Sequence, residues 1–171
     1  MNFIHGQTSL GFVKGDIINK KGDTIKCYIE LLTSYEDAVR YKIDENGAAK
    51  NISIKKIKGM ITPFRYYENI TVNKKELLMV QIAEGKLGLF KYIKLKESMN
   101  LGGGAIRAES SKKVIYVIEK NEVFYTIDEN NFNEQVSKLL TDCKSIDEKL
   151  AKGVYKFSDL ESIIEEYNSC N

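Results

Sequence analysis

The chain is short of several residues that function usually needs, and each shortage excludes something. It has one histidine, one proline, no tryptophan and three cysteines. His5, the lone histidine, stands in the N-terminal tail, so neither a Ser-His nor a Cys-His nucleophilic pair has a base in a structured position. His5, Cys27, Cys143 and Cys170 show no CxxC or HxxxH spacing, and metal ligation is not expected of them. No apolar run reaches the eighteen residues or so that a membrane-spanning helix needs. A single proline leaves little room for proline-rich linkers.

What remains is enough for one domain, or one domain with a small appendage. The 171 residues carry a net charge of +2. The charge is uneven, with −3 from Asn131 onward and +5 before it. That bias falls well short of a nucleic-acid footprint, and no nucleic-acid partner is expected.

The first 130 residues read as strands. Phe12 to Leu32 predicts a hairpin whose turn is Lys20-Lys21-Gly22-Asp23, with Ile25, Cys27 and Ile29 alternating against Lys26, Tyr28 and Glu30. Ala38 to Ile43 is a further strand, followed by a turn at Glu45-Asn46-Gly47 and a returning strand over Asn51 to Ile57. Lys58 to Ile70 reads as a strand broken at Pro63. Leu77 to Ile82 and Leu87 to Leu95 form the strongest predicted hairpin, with Glu84-Gly85-Lys86 as its turn. Glu97 to Lys112 reads as a loop around Gly102, Gly103 and Gly104, and a last hairpin turns at Lys120-Asn121.

The last forty residues change character. Three capping-box pairs, Asn131 with Glu134, Ser145 with Glu148 and Ser158 with Glu161, each predict a helix start. Apolar residues follow at helical spacing: Phe132, Val136, Leu139 and Leu140, then Ile146 and Leu150, then Leu160, Ile163, Ile164 and Tyr167. Gly153 suits a left-handed stop for the second helix. None of the three persists alone in water, so their apolar stripes must be buried elsewhere in the chain. Cys143 and Cys170 fall at the ends of the first and third helices. Either they close a loop of about 28 residues, contributing ~3–4 kcal/mol on the loop-entropy model, or they are reduced thiols.

The sequence predicts an α+β fold: eight to ten antiparallel strands in a curved or barrel-like sheet, capped by three short helices. Residues 1–10 read as a flexible remnant, 11–128 as the β domain and 131–171 as the helical cap. Met1 to Gln7 resembles the cleavage end of a secretory signal.

Few side chains suggest chemistry. The triple glycine in LGGGAIR, with Arg107 beside it, invites a phosphate cradle, but it matches neither GxGxxG nor the Walker pattern and has no helix after it. Asp16, Asp23, Glu84 and Asp128 sit at turns and strand ends, where carboxylates usually set turn geometry. Asn51-Ile-Ser53 and Asn69-Ile-Thr71 match glycosylation sequons by composition, which would mean nothing if the chain were bacterial. The remaining cluster is a surface: Lys55, Lys56 and Lys58, close in sequence to Phe64, Tyr66 and Tyr67, combine cations with aromatic rings, as surfaces for single-stranded nucleic acid or acidic glycans do. The same lysines serve equally well as guards of an edge strand.

Two stretches resemble one family. GFVKGDIINKKGDTIKCYIEL looks like the "GDTI" hairpin of uncharacterised exported proteins from Bacteroidota-type bacteria. The ending looks like theirs too, with a helix finishing in Asp142-Cys143, then Tyr155, and a last helix closing on Tyr167-Asn168 and Cys170. Between them, IKGM and EGKLGLFKYI resemble further family segments. The resemblance covers Gly11 to Cys170, and its motifs are structural, with no catalytic residue among them. It implies export to the periplasm or beyond, an oxidising compartment in which Cys143 and Cys170 would pair. Cys27 departs from the pattern, where a small residue such as glycine is more usual, and leaves an odd thiol. On these grounds the expectation is a non-catalytic envelope or secreted binding module without cofactor or metal, partnered by an envelope protein or a glycan. The alternatives are a carboxylate-based enzyme, an accessory subunit of an outer-membrane complex, and a cytoplasmic location.

Overall fold

The computed structural model describes residues 10–102 and 105–170, and between 95 and 111 its backbone only. The expected remnant 1–10, His5 included, therefore lies outside the described residues except for Leu10. The chain divides into two compact units, up to Gln81 and from Ile82 onward.

The first unit is built of strands. β1 (Phe12–Asn19) and β2 (Thr24–Glu30) form the expected hairpin, in register from Phe12↔Glu30 to Ile18↔Thr24. Its turn is held by Asn19, whose Oδ1 accepts from the Lys21 and Asp23 amides at 2.8 and 3.0 Å, while Gly22 takes φ +92°. β3 (Ala38–Lys42) pairs with β2 and with β4 (Lys50–Ser53). The strand expected over 51–57 stops early: Ile54–Lys56 wind into a 3-10 turn before β5 (Ile57–Ile61) begins. Asn69 explains this, because its side-chain amide donates to the carbonyls of Ile54 and Ile57 at 2.7 and 2.8 Å. One of the two sequons is thus a structural clamp.

β6 (Tyr66–Val72) follows the expected break at Pro63, and β7 (Lys75–Ala83) returns beside it through Asn73 and Lys74, both at positive φ. β5 pairs with β1, and Gly15 is what lets them approach: a Cβ there would sit 2.4 Å from the Ile61 carbonyl oxygen. The core of this unit is Ile17, Cys27, Ile29, Tyr35, Val39, Ile54, Ile57, Met60, Tyr67 and Leu78. The alternation read from β2 therefore points the right way.

In the second unit β8 (Gly88–Gly102) and β9 (Ala105–Lys120) pair along their whole lengths, from Gly88↔Glu119 to Gly102↔Ala105. The loop expected over Glu97–Lys112 is overturned by this pairing. A ribbon held by its main-chain ladder, with few apolar residues, emits no period-two signal. Gly103 and Gly104 lie outside the described residues. β10 (Val123–Ile127) pairs with β9 across Asn121-Glu122.

Three helices complete this unit: α1 (Phe132–Leu139), α2 (Lys144–Ala151) and α3 (Leu160–Ser169). Every apolar residue of the expected stripes joins one core with Leu87, Leu89, Tyr116, Ile118 and Ile127 of the strands, Leu139 at its margin. The stop at Gly153 is also as expected. Gly153 takes φ +66°, and the amides of Gly153 and Val154 donate to the carbonyls of Leu150 and Lys149, a Schellman ending.

The three capping boxes are not. The Asn131 side chain makes no cap; Asp128 accepts from the Asn130 amide at 2.8 Å, and Gln135 accepts from the Asp128 amide at 2.8 Å. α2 has Cys143 as its N-cap, two residues earlier than the expected Ser145, and the Ser145 hydroxyl donates to Glu166 at 3.3 Å instead. Before α3 a 3-10 turn intervenes, and Asp159 accepts from the Lys156 amide at 2.9 Å. Capping spacing is local, whereas these starts are displaced by 3-10 turns and a distant cysteine.

Ten strands and three C-terminal helices confirm the α+β class. The barrel-like expectation is corrected: among the described residues β4 pairs only with β3 and β10 only with β9, so the sheet does not close. Cys143 and Cys170 are joined by a disulfide, with Cα atoms 6.3 Å apart.

The C-terminal residues quoted for the resemblance hydrogen-bond close to that bond in sequence. Tyr167 donates to Asp142 at 2.7 Å, and Asn168 accepts from the Leu87 amide and donates to its carbonyl, both at 2.9 Å. Tyr155 and Lys149 both donate to Glu166. Nearby, Lys91 and Tyr116 reach Glu161 at 2.6 and 2.9 Å. Hydrogen bonding to Lys149, to Lys91 and to Tyr167 holds Glu166, Glu161 and Asp142, respectively, below the usual carboxylate range. Burial, helped by Asp142, pushes Tyr167 up to about 12.

A depressed carboxylate stabilises the fold above its unfolded pKa and loses that contribution as pH falls through the folded value. A raised phenol stabilises it below about 10 and loses that contribution as pH climbs further. Urea midpoints are therefore expected to be flat across neutral pH, to fall below about pH 4 and to fall again above about pH 10. In Asp142→Asn the Tyr167 share of the alkaline fall should shrink.

Candidate functional site

The short segment between β5 and β6 positions the site. Thr62 closes it into a tight turn: its amide donates to the Arg65 carbonyl at 2.9 Å, and its hydroxyl accepts from the Arg65 amide at 3.1 Å. Pro63 fixes one backbone angle inside that turn. The result is a rigid loop that holds Phe64 out to solvent, 75% exposed.

Leu10 is equally exposed and is set beside Leu31 by main-chain bonds, Leu10 amide to Leu31 carbonyl and Leu31 amide to Gly11 carbonyl, at 3.1 and 2.9 Å. Leu10, Val13, Leu31, Leu32, Phe64 and Tyr67, with Thr62 and Arg65, enclose a cavity of about 340 Å³. That is the size of a small-molecule seat, and its walls are apolar with few polar groups, as such seats usually are. Arg65 is exposed and makes no ion pair among the described residues.

Tyr67 forms part of the wall without reaching the surface. It is 2% exposed, packs edge-on to Tyr35 with ring centres 5.7 Å apart, and its hydroxyl finds no partner among the described residues. The expectation of a surface Tyr67 is corrected accordingly: in β6 it alternates inward, and Tyr66, its neighbour, is half-buried. Tyr35 donates to the Glu30 carbonyl at 2.8 Å, and burial pushes its phenol well above the ordinary value.

The lysines lie elsewhere. Lys55 and Lys56 stand on the 3-10 turn and Lys58 on β5, all exposed. Lys55 shares a separate hollow of about 640 Å³ with Glu36, Asp37, Lys74, Lys75 and Glu76. Phe64 and Lys55, grouped by sequence proximity, thus border different cavities. One acid of this second hollow, Glu76, is paired with a cation. Lys20 hydrogen-bonds Glu76 and holds its carboxyl below the usual range, the wrong direction for a general acid at neutral pH.

A third hollow, about 500 Å³, is lined by Lys14, Asp16, Lys26, Cys27, Ile43, Ile61 and Pro63. Burial, with Asp16 adding to it, pushes the Cys27 thiol up to about 11, so it stays protonated and unreactive.

Leu10, Val13, Leu31 and Leu32 escaped the sequence reading. Their one signal was the Leu31-Leu32 pair, which breaks the alternation of β2 just where the strand ends. Compared with known proteins, the chain matches no protein-family model, no curated protein and no solved structure.

Proposed function

We propose that the chain is a binding module of the cell envelope or of the secreted space, and that its ligand seat is the cavity beside Phe64. The observation that carries this is the pairing of two large side chains, Leu10 and Phe64, each 75% exposed, across a 340 Å³ apolar hollow. An exposed phenylalanine on a rigid turn at the mouth of a cavity costs solubility and gives the fold nothing in return, so it argues for an occupant. Arg65 at the rim favours an occupant with an apolar body and one acidic group. Export is supported by the Cys143–Cys170 disulfide, since such bonds persist mainly in oxidising compartments.

The test is a titration with a fluorescent apolar sulfonate. One saturable site is expected, weakened about tenfold by Phe64→Ala, the cost of a truncated aromatic anchor. Arg65→Gln should weaken it less, and only for the acidic probe. Unsaturable binding, or equal affinity in Phe64→Ala, would overturn the assignment.

A further inference from the structure

The two end strands are finished in opposite ways. β4 is four residues long, opens with exposed Lys50 and runs straight into the 3-10 turn carrying Lys55 and Lys56. Shortness and lysine are the ordinary protections of a sheet edge. β10 has neither. Val123–Ile127 contains no charge, and Val123, Phe124 and Tyr125 are 48%, 38% and 39% exposed.

The hydrogen-bonding capacity of this edge follows from its turn. Asn121 and Glu122 both lie at positive φ, 53° and 63°, and Lys120 faces Val123 across them. The closing pair of such a two-residue turn is hydrogen-bonded, and bonded and non-bonded pairs then alternate. Val123, Tyr125 and Ile127 consequently turn their amides and carbonyls toward β9. Those of Phe124 and Thr126 face outward, with no strand beyond them among the described residues. The row ends at Asp128, whose amide is already given to Gln135.

Acids bracket the open stretch, Glu122 before it and Asp128 and Glu129 after it. Lys120, the nearest cation in sequence, donates its ammonium to the Leu139 carbonyl at 2.6 Å. A second copy of β10 pairing antiparallel about Tyr125 would set Glu122 against Asp128, and like charges directly opposite one another are destabilising.

We propose that β10 is a docking edge for an extended segment of another protein, apolar at its centre and basic at both ends, which adds to the sheet through the main chain of Phe124 and Thr126. Strand addition of this kind draws affinity from main-chain bonds and specificity from flanking side chains. It is independent of the cavity beside Phe64.

The test uses the full chain and two capped peptides of alternating valine and threonine, one ended by lysines and one by glutamates. The lysine-ended peptide should slow amide exchange at Phe124 and Thr126 at up to about 1 mM peptide, the weak end of specific binding. Its affinity should fall with salt, and the glutamate-ended peptide should bind at least about tenfold more weakly. Thr126→Pro deletes one outward amide and leaves the β9 ladder intact, and it should abolish the protection. Should that variant misfold, Thr126→Lys is the substitute, expected to repel the lysine-ended peptide. No protection at Phe124 and Thr126, equal binding of both peptides, or a free chain that sediments as a dimer with both amides already protected would each overturn the proposal.

Discussion

Replacing both Cys143 and Cys170 by alanine is expected to lower the unfolding free energy of the unit from Ile82 onward by about 3–4 kcal/mol. The bond spans 27 positions and joins the residue just before α2 to the residue just after α3. Without it, the unfolded chain regains the freedom of a loop of that size, while the native unit keeps its side-chain ties. Against a total stability that for ordinary domains is only about 5–15 kcal/mol, the loss is large. Urea unfolding followed by far-UV dichroism would show it as a lower midpoint, and reduction of the unmodified protein should reproduce most of the shift. Identical midpoints with and without reductant would remove the bond from the account of stability.

The second large effect is expected at Phe132. This side chain begins α1, is 5% exposed and meets Phe157 edge-on at 6.1 Å between ring centres, in the core shared by strands and helices. Phe132→Ala removes the ring and leaves a cavity that the neighbouring disulfide-tied helices can close only in part. A cost of about 3–5 kcal/mol follows from such truncations. Thermal melting in the presence and absence of reductant separates the two effects. Phe132 and Cys143 belong to one core with Cys170 packed against it, so the deviation of the reduced variant's loss from the simple sum measures their coupling.

The helical cap was the most legible part of the chain. Its apolar positions are dictated by 3.6-residue spacing, and that spacing survives whatever happens at the ends. The stop at Gly153 was legible too, but the helix starts were not. Ser145 has the composition of a cap, yet Cys143 starts the helix, because the disulfide fixes the backbone there and frees Ser145 to reach Glu166. In the strands, Cys27 and Ile29 were readable from alternation. The ribbon over Glu97–Lys112 was not, since its pairing is carried by the main chain.

The site divides along the same line. Phe64 is exposed, as expected of an aromatic next to a proline in a strand break. Tyr67 was misplaced by the same proximity, since two tyrosines in succession on a strand must face opposite ways, and only the burial of β6 decides which. Leu10, Val13 and Leu31 come together through pairing of the chain's start with the end of β2, a contact that residue spacing does not encode.

The hollow beside Phe64 is the proposed ligand seat. Amide and methyl chemical shifts of the labelled protein, recorded during titration with an apolar probe bearing one acidic group, test it directly. Shifts should be concentrated at Leu10, Val13, Leu31, Leu32, Phe64 and Arg65, and should disappear in Phe64→Ala. Shifts gathered instead at β10 or at Lys55, or spread evenly over the chain, would contradict it.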